Sequence, residues 1–190
     1  AVQQFRCVLE SQIERQHRME AGAAAVDFSK KDKIVIGIVD GDGIGPILIE
    51  QAERVLSALL ADEIAAGKIE LRRIDGLTIE RRQALGQAVP ADTLAAIKAC
   101  DVLLKGPTTT PKGGTLESAN VALRRELDLY ANVRPVKIPD KGIDWVFYRE
   151  NTEGEYVLGS QGIEIPDTLA MDFKVTTDAG TRRIARAAFE

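Results

Sequence analysis

The sequence predicts an α/β fold carried by a mainly parallel sheet, on three observations. Short, β-branched apolar runs occur, as in Lys33-Ile-Val-Ile-Gly-Ile-Val and Asp101-Val-Leu-Leu-Lys, which suits parallel strands buried on both faces. Amphipathic segments of helical length separate these runs, so strand and helix alternate. No internal repeat or low-complexity tract breaks the alternation.

Composition narrows the function classes. The 190 residues are 45% hydrophobic and 28% charged, enough for a buried core and too apolar for disorder. Lys and Arg number 25 against 29 Asp and Glu, a net charge of -4, which argues against a nucleic-acid binder. No apolar run approaches the roughly 20 residues of a membrane span, so a soluble protein is expected. Cys7 and Cys100 give no disulfide scaffold, and the single His17 leaves little for His-based metal or triad chemistry. Any catalysis then runs on Arg, Lys, Tyr and carboxylates.

Residues 1–30 carry mixed charge and no continuous apolar stretch, which excludes a secretory signal and disfavours a transit peptide. They read as a leader: 21–25 a small-residue lead-in, Met19 the expected natural start, 1–18 upstream sequence, and His17 without a catalytic part. The first strand, 33–39, runs into Asp40-Gly-Asp-Gly-Ile-Gly-Pro and a helix. Pro46 suits its first turn, Leu48, Ala52, Val55 and Leu59 form its apolar stripe, and Gly67 ends it. Residues 68–74 form a second strand. After a polar, ambiguous stretch around Arg81-Arg82-Gln83, Pro90 opens a short helix with Leu94 and Ile97, and 101–105 is the third strand.

A loop rich in Thr, Pro and Gly spans 106–114. Next come a helix near 118–128, an extended stretch at 129–138 and a strand at 143–148. Alternation of Leu169, Met171, Phe173 and Val175 suggests a strand in an arm or hairpin. Thr177 or Asp178 caps a last helix with Ile184 and Ala188 on one face and Ala185 and Phe189 beside them. No stop signal follows before Glu190, so the chain is expected to break off inside that helix. The expected organisation is a leader at 1–30, the first part of a large α/β domain at 31–129, and the start of a smaller domain with arm strands at 130–190.

The glycine loop follows a strand and opens a helix, but its spacing is G-x-G-x-G-P. A Rossmann fingerprint is G-x-G-x-x-G, and Pro46 removes one of the helix-start amides that a pyrophosphate uses. A structural tight turn is the plainer reading.

The richest segment is Ser118-Ala-Asn-Val-Ala-Leu-Arg-Arg-Glu-Leu-Asp-Leu-Tyr-Ala-Asn-Val-Arg-Pro. Asn120 and Arg124 share a helix face by i,i+4 spacing, and Ala119, Leu123 and Leu127 form the adjacent core-facing stripe. Ser118 sits at the helix start, Arg134 in extended chain before Pro135, and Arg149 closes an apolar run. Arginine recognises carboxylates by bidentate bonds, so converging arginines suit a polycarboxylate; taken singly, each is an ordinary surface charge. Tyr156 can act as a general acid if cations lower its pKa. Lys105 ends a buried strand, at the sheet edge where α/β ligand sites form.

Four stretches, in order from about residue 33 to the end, resemble the β-decarboxylating dehydrogenases of isocitrate and 3-isopropylmalate. They are Gly41-Asp-Gly-Ile-Gly-Pro, Leu104-Lys-Gly-Pro-Thr-Thr-Thr-Pro, the 118–135 block, and Tyr148-Arg-Glu-Asn-Thr-Glu-Gly-Glu-Tyr. The resemblance implies that family's fold, distinct from the Rossmann dehydrogenases, and oxidative decarboxylation of a 2-hydroxy acid with NAD or NADP and Mg2+ or Mn2+. It implies that Ser118, Asn120, Arg124, Arg134 and Arg149 hold the substrate carboxylates. Thr109, with Lys105, would lie beside the nicotinamide end of the cofactor, and Tyr156 would protonate the enolate left by carbon dioxide. It further implies a cytoplasmic homodimer or higher oligomer of the tricarboxylic acid cycle, with active sites shared between subunits. The metal aspartates, catalytic lysine and adenosine-binding loop would follow Glu190, so the isolated 190 residues are expected to be inactive.

Isopropylmalate enzymes resemble one another in an apolar Leu-Leu at the helix start. Here Ser118 and Asn120 are polar and suit a third carboxylate, and an apolar ligand would leave each unpaired at roughly 1–3 kcal/mol if buried. Isocitrate is therefore expected as the substrate, with homoisocitrate or 3-isopropylmalate, or a non-catalytic regulatory subunit, as alternatives. The wording around Arg149 looks more like NAD-linked isocitrate enzymes.

Overall fold

A computed structural model describes residues 2–20, 26–111, 116–155 and 162–190. It divides into two compact units, one of residues 25–123 and the other of residues 1–24 with 124–190. Helix α1 (Val2–Glu20) opens the chain and belongs to the second of these. Among the described residues no helix is long and apolar enough to cross a membrane.

In the first unit the apolar runs become β1 (Ile34–Val39), β2 (Ile69–Arg73) and β3 (Val102–Lys105), parallel and ordered β2-β1-β3. Ile34 pairs with Ile69, Ile36 with Val102 and Val39 with Lys105, so the carboxyl ends of β1 and β3 lie side by side. Helices α2 (Gly45–Leu59) and α3 (Ala61–Ala65) connect β1 to β2, and α4 (Ile79–Leu85) and α5 (Ala91–Lys98) connect β2 to β3. Ile38, Val39, Ile49, Ile74, Leu77 and Ile97 are buried, the covered apolar surface that drives folding of such a layered unit.

Two details differ from the sequence reading. Along α2 the buried position is Ile49, 4% exposed, while Leu48, Val55 and Leu59 face outward at 51%, 59% and 73%. The inward stripe is Ile49, Ala52 and Leu56, which keeps Ala52 and replaces Leu48 and Val55 by the next residue along. Both stripes are apolar, so periodicity could not choose between them. The ambiguous stretch around Arg82 is helix α4, capped by the Thr78 hydroxyl and closed by Gly86.

Helix α6 (Ala119–Glu126) carries the division between the units, which falls after Leu123. Ala119, Ala122 and Leu123 are buried as the stripe requires. The helix ends two residues earlier than expected because Asp128 turns left-handed at φ 48°. Leu129 N–H then donates to the Arg124 carbonyl at 2.9 Å and Asp128 N–H to that of Arg125 at 3.3 Å, a Schellman closure.

The second unit centres on an antiparallel ribbon of β4 (Ala131–Ile138) and β5 (Ile143–Glu150), paired from Ala131 opposite Glu150 to Ile138 opposite Ile143. A smaller hairpin joins β6 (Ile163–Ile165) to β7 (Leu169–Met171). The predicted alternation thus forms a strand only at its start, and Val175 makes an isolated bridge to Gly154. Helix α7 (Asp178–Phe189) is capped by the Thr177 hydroxyl. Its inward side is Gly180, Arg183, Ile184 and Ala187, and Ala188 and Phe189 lie outward. Residues 21–25, read as a lead-in, lie outside the described residues, as do 112–115 of the threonine loop.

Candidate functional site

The carboxyl ends of β1 and β3 feed two loops that are packed backbone against backbone. Asp42 N–H donates to the Pro107 carbonyl at 2.7 Å, and Gly106 N–H to that of Val39 at 2.8 Å. A Cβ on Gly41 would overlap the Pro107 oxygen, and one on Gly106 the Asp40 oxygen. Gly41 also sits at φ 76°, so glycine is required there twice over. The glycine motif is therefore a close-approach device, and its Asp42 amide is already bonded within the protein. A pyrophosphate cradle needs such amides unused.

Two buried charges lock this junction. The Asp42 carboxylate accepts from the Thr109 N–H at 2.7 Å and from the Ile79 N–H at 2.7 Å. Arg82, 0% exposed, donates to the carbonyls of Ala88 at 2.7 Å, Thr109 at 2.8 Å and Glu117 at 3.1 Å. Burial pushes its pKa down, and the nearby Asp42 charge opposes that shift.

Of the residues singled out from sequence, four belong to this unit. Lys105 Nζ donates to the Gly106 carbonyl at 2.6 Å. Thr109 is held through its backbone, as above. The Ser118 carbonyl accepts from Ala122 N–H at 3.0 Å, which places Ser118 directly before the first turn of α6. Thr108 donates its hydroxyl to the Asn120 side-chain oxygen at 3.3 Å. The structure thus brings the threonine loop and the start of α6 together.

Arg124, Arg134 and Arg149 belong to the other unit. Asn132 lies directly opposite Arg149 across the ribbon, and Arg134 follows Asn132 by two residues. Opposed and i,i+2 residues share a face, so Arg134 and Arg149 stand on one side of the ribbon, with Phe147. Both are exposed, and Arg134 Nε donates to Asn132 Oδ1 at 3.0 Å. Arg149 also lines a hollow of about 320 Å³ with Glu153, Glu155, Lys174, Thr176 and Thr181. Arg124 is half-buried on α6. Tyr156 lies outside the described residues.

The acids of the Arg149-Glu-Asn-Thr-Glu motif are internal struts. Glu150 accepts from the Thr152 N–H at 2.8 Å and the Thr152 hydroxyl at 2.6 Å. Buried Glu153 accepts from Thr177 N–H at 2.9 Å and from Arg15 at 3.2 Å, so a residue of α1 fixes the motif. Arg183 grips Asp128 through both terminal nitrogens, at 2.7 and 3.0 Å, donates to Thr152 at 2.7 Å and lies 4.4 Å over the Tyr130 ring.

Sequence reasoning missed Asp42, Arg82, Arg15 and Arg183. Asp42 was in view inside the glycine motif, and an acid in a strand-to-helix turn beside free amides is a readable signal. Nothing in the spacing marks the arginines, since a buried arginine and a solvated one look alike in sequence. Among the described residues, no three His, Cys, Asp or Glu side chains are placed to hold a metal ion. The divalent ion implied by the resemblance therefore finds no ligand set among them.

A family model described as isocitrate/isopropylmalate dehydrogenase matches residues 35–190. The NADP-isocitrate dehydrogenase of Caldococcus noboribetus is 43% identical over 147 residues, covering 71% of this chain and 32% of that protein. The NADP-isocitrate dehydrogenase of Haloferax volcanii is 34% identical, covering 86% of this chain and 46% of its own length. Among solved structures, isocitrate dehydrogenase from Methylococcus capsulatus superposes with a TM-score of 0.65 at 33% identity, over 82% of this chain and 46% of that one. The apo β-decarboxylating dehydrogenase from Thermococcus kodakarensis gives 0.61 at 32% identity, over 81% and 44%. The chain thus spans less than half the length of these relatives.

Proposed function

This chain belongs to the isocitrate/isopropylmalate dehydrogenase family, and on that premise we propose that the whole protein oxidises isocitrate and releases carbon dioxide to give 2-oxoglutarate, with NADP as oxidant. The observation that carries the substrate choice is the polar start of α6, where Asn120 is hydrogen-bonded to Thr108 at 3.3 Å and follows Ser118 by two residues. A carboxylate satisfies such groups, whereas an alkyl group leaves them unpaired at roughly 1–3 kcal/mol each. The choice of NADP follows the NADP-isocitrate dehydrogenases among the relatives, against the NAD-like wording around Arg149.

The residues act as binders and proton carriers. Arg134 and Arg149, on one ribbon face, present two guanidinium forks to substrate carboxylates. Arg124 adds a third, and Ser118 and Asn120 donate to the remaining carboxylate. Thr109 and Lys105 serve the nicotinamide end of the cofactor beside the substrate, and the Tyr156 hydroxyl delivers a proton to the enolate carbon once carbon dioxide has left. NADP, when bound, supplies the hydride acceptor. Exposed Trp145 and Phe147, on one face of β5, support a homodimer in which a second copy covers apolar surface, and the cytoplasm is the compartment that goes with this reading.

The test is a steady-state assay of the whole protein with isocitrate, homoisocitrate and 3-isopropylmalate, each with NADP and NAD and with Mg2+. Isocitrate with NADP is expected to give the highest kcat/KM, about 100-fold above 3-isopropylmalate if two polar groups go unpaired in the latter. Faster turnover of 3-isopropylmalate, or isocitrate binding without turnover as in a regulatory subunit, would overturn the reading.

A further inference from the structure

Both polar backbone atoms of Thr109 are held by buried side chains, one the Asp42 carboxyl group and the other the Arg82 guanidinium. Asp42 accepts from its N–H at 2.7 Å and Arg82 donates to its carbonyl at 2.8 Å. The remaining valences of the pair anchor elsewhere in the same unit. Asp42 reaches the Ile79 amide that opens α4, and Arg82 reaches the carbonyls of Ala88 and of Glu117, the residue before Ser118.

Space filling does not account for this arrangement. Charges taken out of water are costly unless paired and fully bonded, and apolar residues of similar volume often serve a core equally well or better. What the charges add is direction. A carboxylate only accepts and a guanidinium only donates, so together they fix which way the Thr109 peptide faces. Charge-assisted bonds also hold geometry more tightly than neutral ones. The three planar bonds of Arg82 further set the spacing between Thr109 and the start of α6.

We propose that Asp42 and Arg82 are positioning residues of the reaction, two buried side chains that together fix the Thr109 backbone and so the angle at which its side chain meets the nicotinamide end of the dinucleotide. The proposal rests on the function assigned above, from which the role of Thr109 comes. A displacement of about 1 Å at a reacting centre can cost on the order of 100-fold in rate, so the pair acts at a distance from the chemistry.

The test uses the whole protein and the variants Arg82→Met, Arg82→Lys and Asp42→Asn, read in two ways. Hydrogen exchange over residues 106–111 is expected to quicken at least about tenfold in Arg82→Met and Asp42→Asn, while β1 stays protected. In steady state, Arg82→Met is expected to lose about 100-fold in kcat with the isocitrate KM changed by no more than about tenfold, because Arg124, Arg134 and Arg149 belong to the other unit and only the Ser118 and Asn120 contacts share the loosened start of α6. Arg82→Lys, which keeps the charge and part of the bonding, is expected to recover at least about tenfold of that loss. If Arg82→Met does not fold, Arg82→Lys and Asp42→Asn carry the same readouts.

A role in stability alone would lower the melting temperature and leave kcat intact well below it. That outcome, or unchanged exchange over 106–111, overturns the proposal. If the native protein fails to oxidise isocitrate, the assigned function fails, yet loosening of the loop in the variants still establishes the clamp. An active native protein with fully active variants refutes the clamp and spares the function.

Discussion

Asp42 and Arg82, in the parallel-sheet unit, are buried and bonded to backbone atoms at 2.7 to 3.1 Å. Arg134 and Arg149, on the antiparallel ribbon of the other unit, are exposed on one face, and Arg134 leans on Asn132 beside it. The same contrast recurs within the ribbon unit, where Arg15 and Arg183 are tied to Glu153, Asp128 and Thr152. The difference separates two uses of one side chain. A guanidinium buried among backbone acceptors sets geometry, whereas an exposed one on a ribbon face is reachable by an anion from solvent, which is the use proposed for it above.

The comparison breaks first if the exposed arginines prove idle. Arg134→Met with Arg149→Met in the whole protein is expected to lower kcat/KM for isocitrate roughly 1000-fold, about 4 kcal/mol for two charge-assisted contacts. Unfolding stability should move by less than about 0.5 kcal/mol, as exposed substitutions do. Arg82→Met inverts the pattern. Leaving three buried backbone carbonyls without their guanidinium donor is expected to cost about 3 kcal/mol in denaturant unfolding, at an unchanged m-value.

A smaller effect sharpens the substrate assignment. Asn120→Leu removes the Thr108 acceptor and presents an apolar group at the start of α6. The ratio of kcat/KM for isocitrate over 3-isopropylmalate is expected to fall about 10- to 100-fold, measured with both substrates on one preparation.

The smallest expected effect concerns Asp101, whose carboxyl is held below its usual 3.8 by the Lys31 ammonium and by the Val35 N–H at 2.9 Å. Its stabilising contribution is present above 3.8 and lost as pH falls through the lower folded value. Asp101→Asn is expected to be the less stable protein at neutral pH, with the gap closing in acid melts below pH 3.8. A gap constant across that range would remove the ion pair from the account.

Much of the fold was legible in the sequence. The apolar runs at 33–39 and 101–105 became β1 and β3 because a strand covered on both faces needs uninterrupted β-branched residues. The off-rule spacing of Gly41, Gly43 and Gly45 correctly pointed away from a Rossmann cradle, and the close approach of Gly41 to Pro107 gives the reason. The helix face of α2 was misread by one residue because Leu48 and Ile49 are both apolar, and only tertiary packing decides which is covered. Arg82 was passed over because its neighbours Arg81 and Gln83 are polar and its carbonyl partners lie 6, 27 and 35 residues away. The motif around Arg149 was read for its chemistry alone, while the strut Glu153 within it depends on Thr177 and Arg15, distant in sequence.

The most direct measurement is the melting temperature of the whole protein with and without saturating isocitrate and Mg2+, for the native form and for Arg134→Met with Arg149→Met. A ligand at about 100 times its Kd stabilises by about 2.7 kcal/mol, so isocitrate should raise the native melting temperature by several degrees. The variant is predicted to melt where the unliganded native protein does and to gain nothing from isocitrate. An undiminished shift in the variant, or a variant that melts well below the native protein without ligand, would contradict the assignment of these arginines to binding.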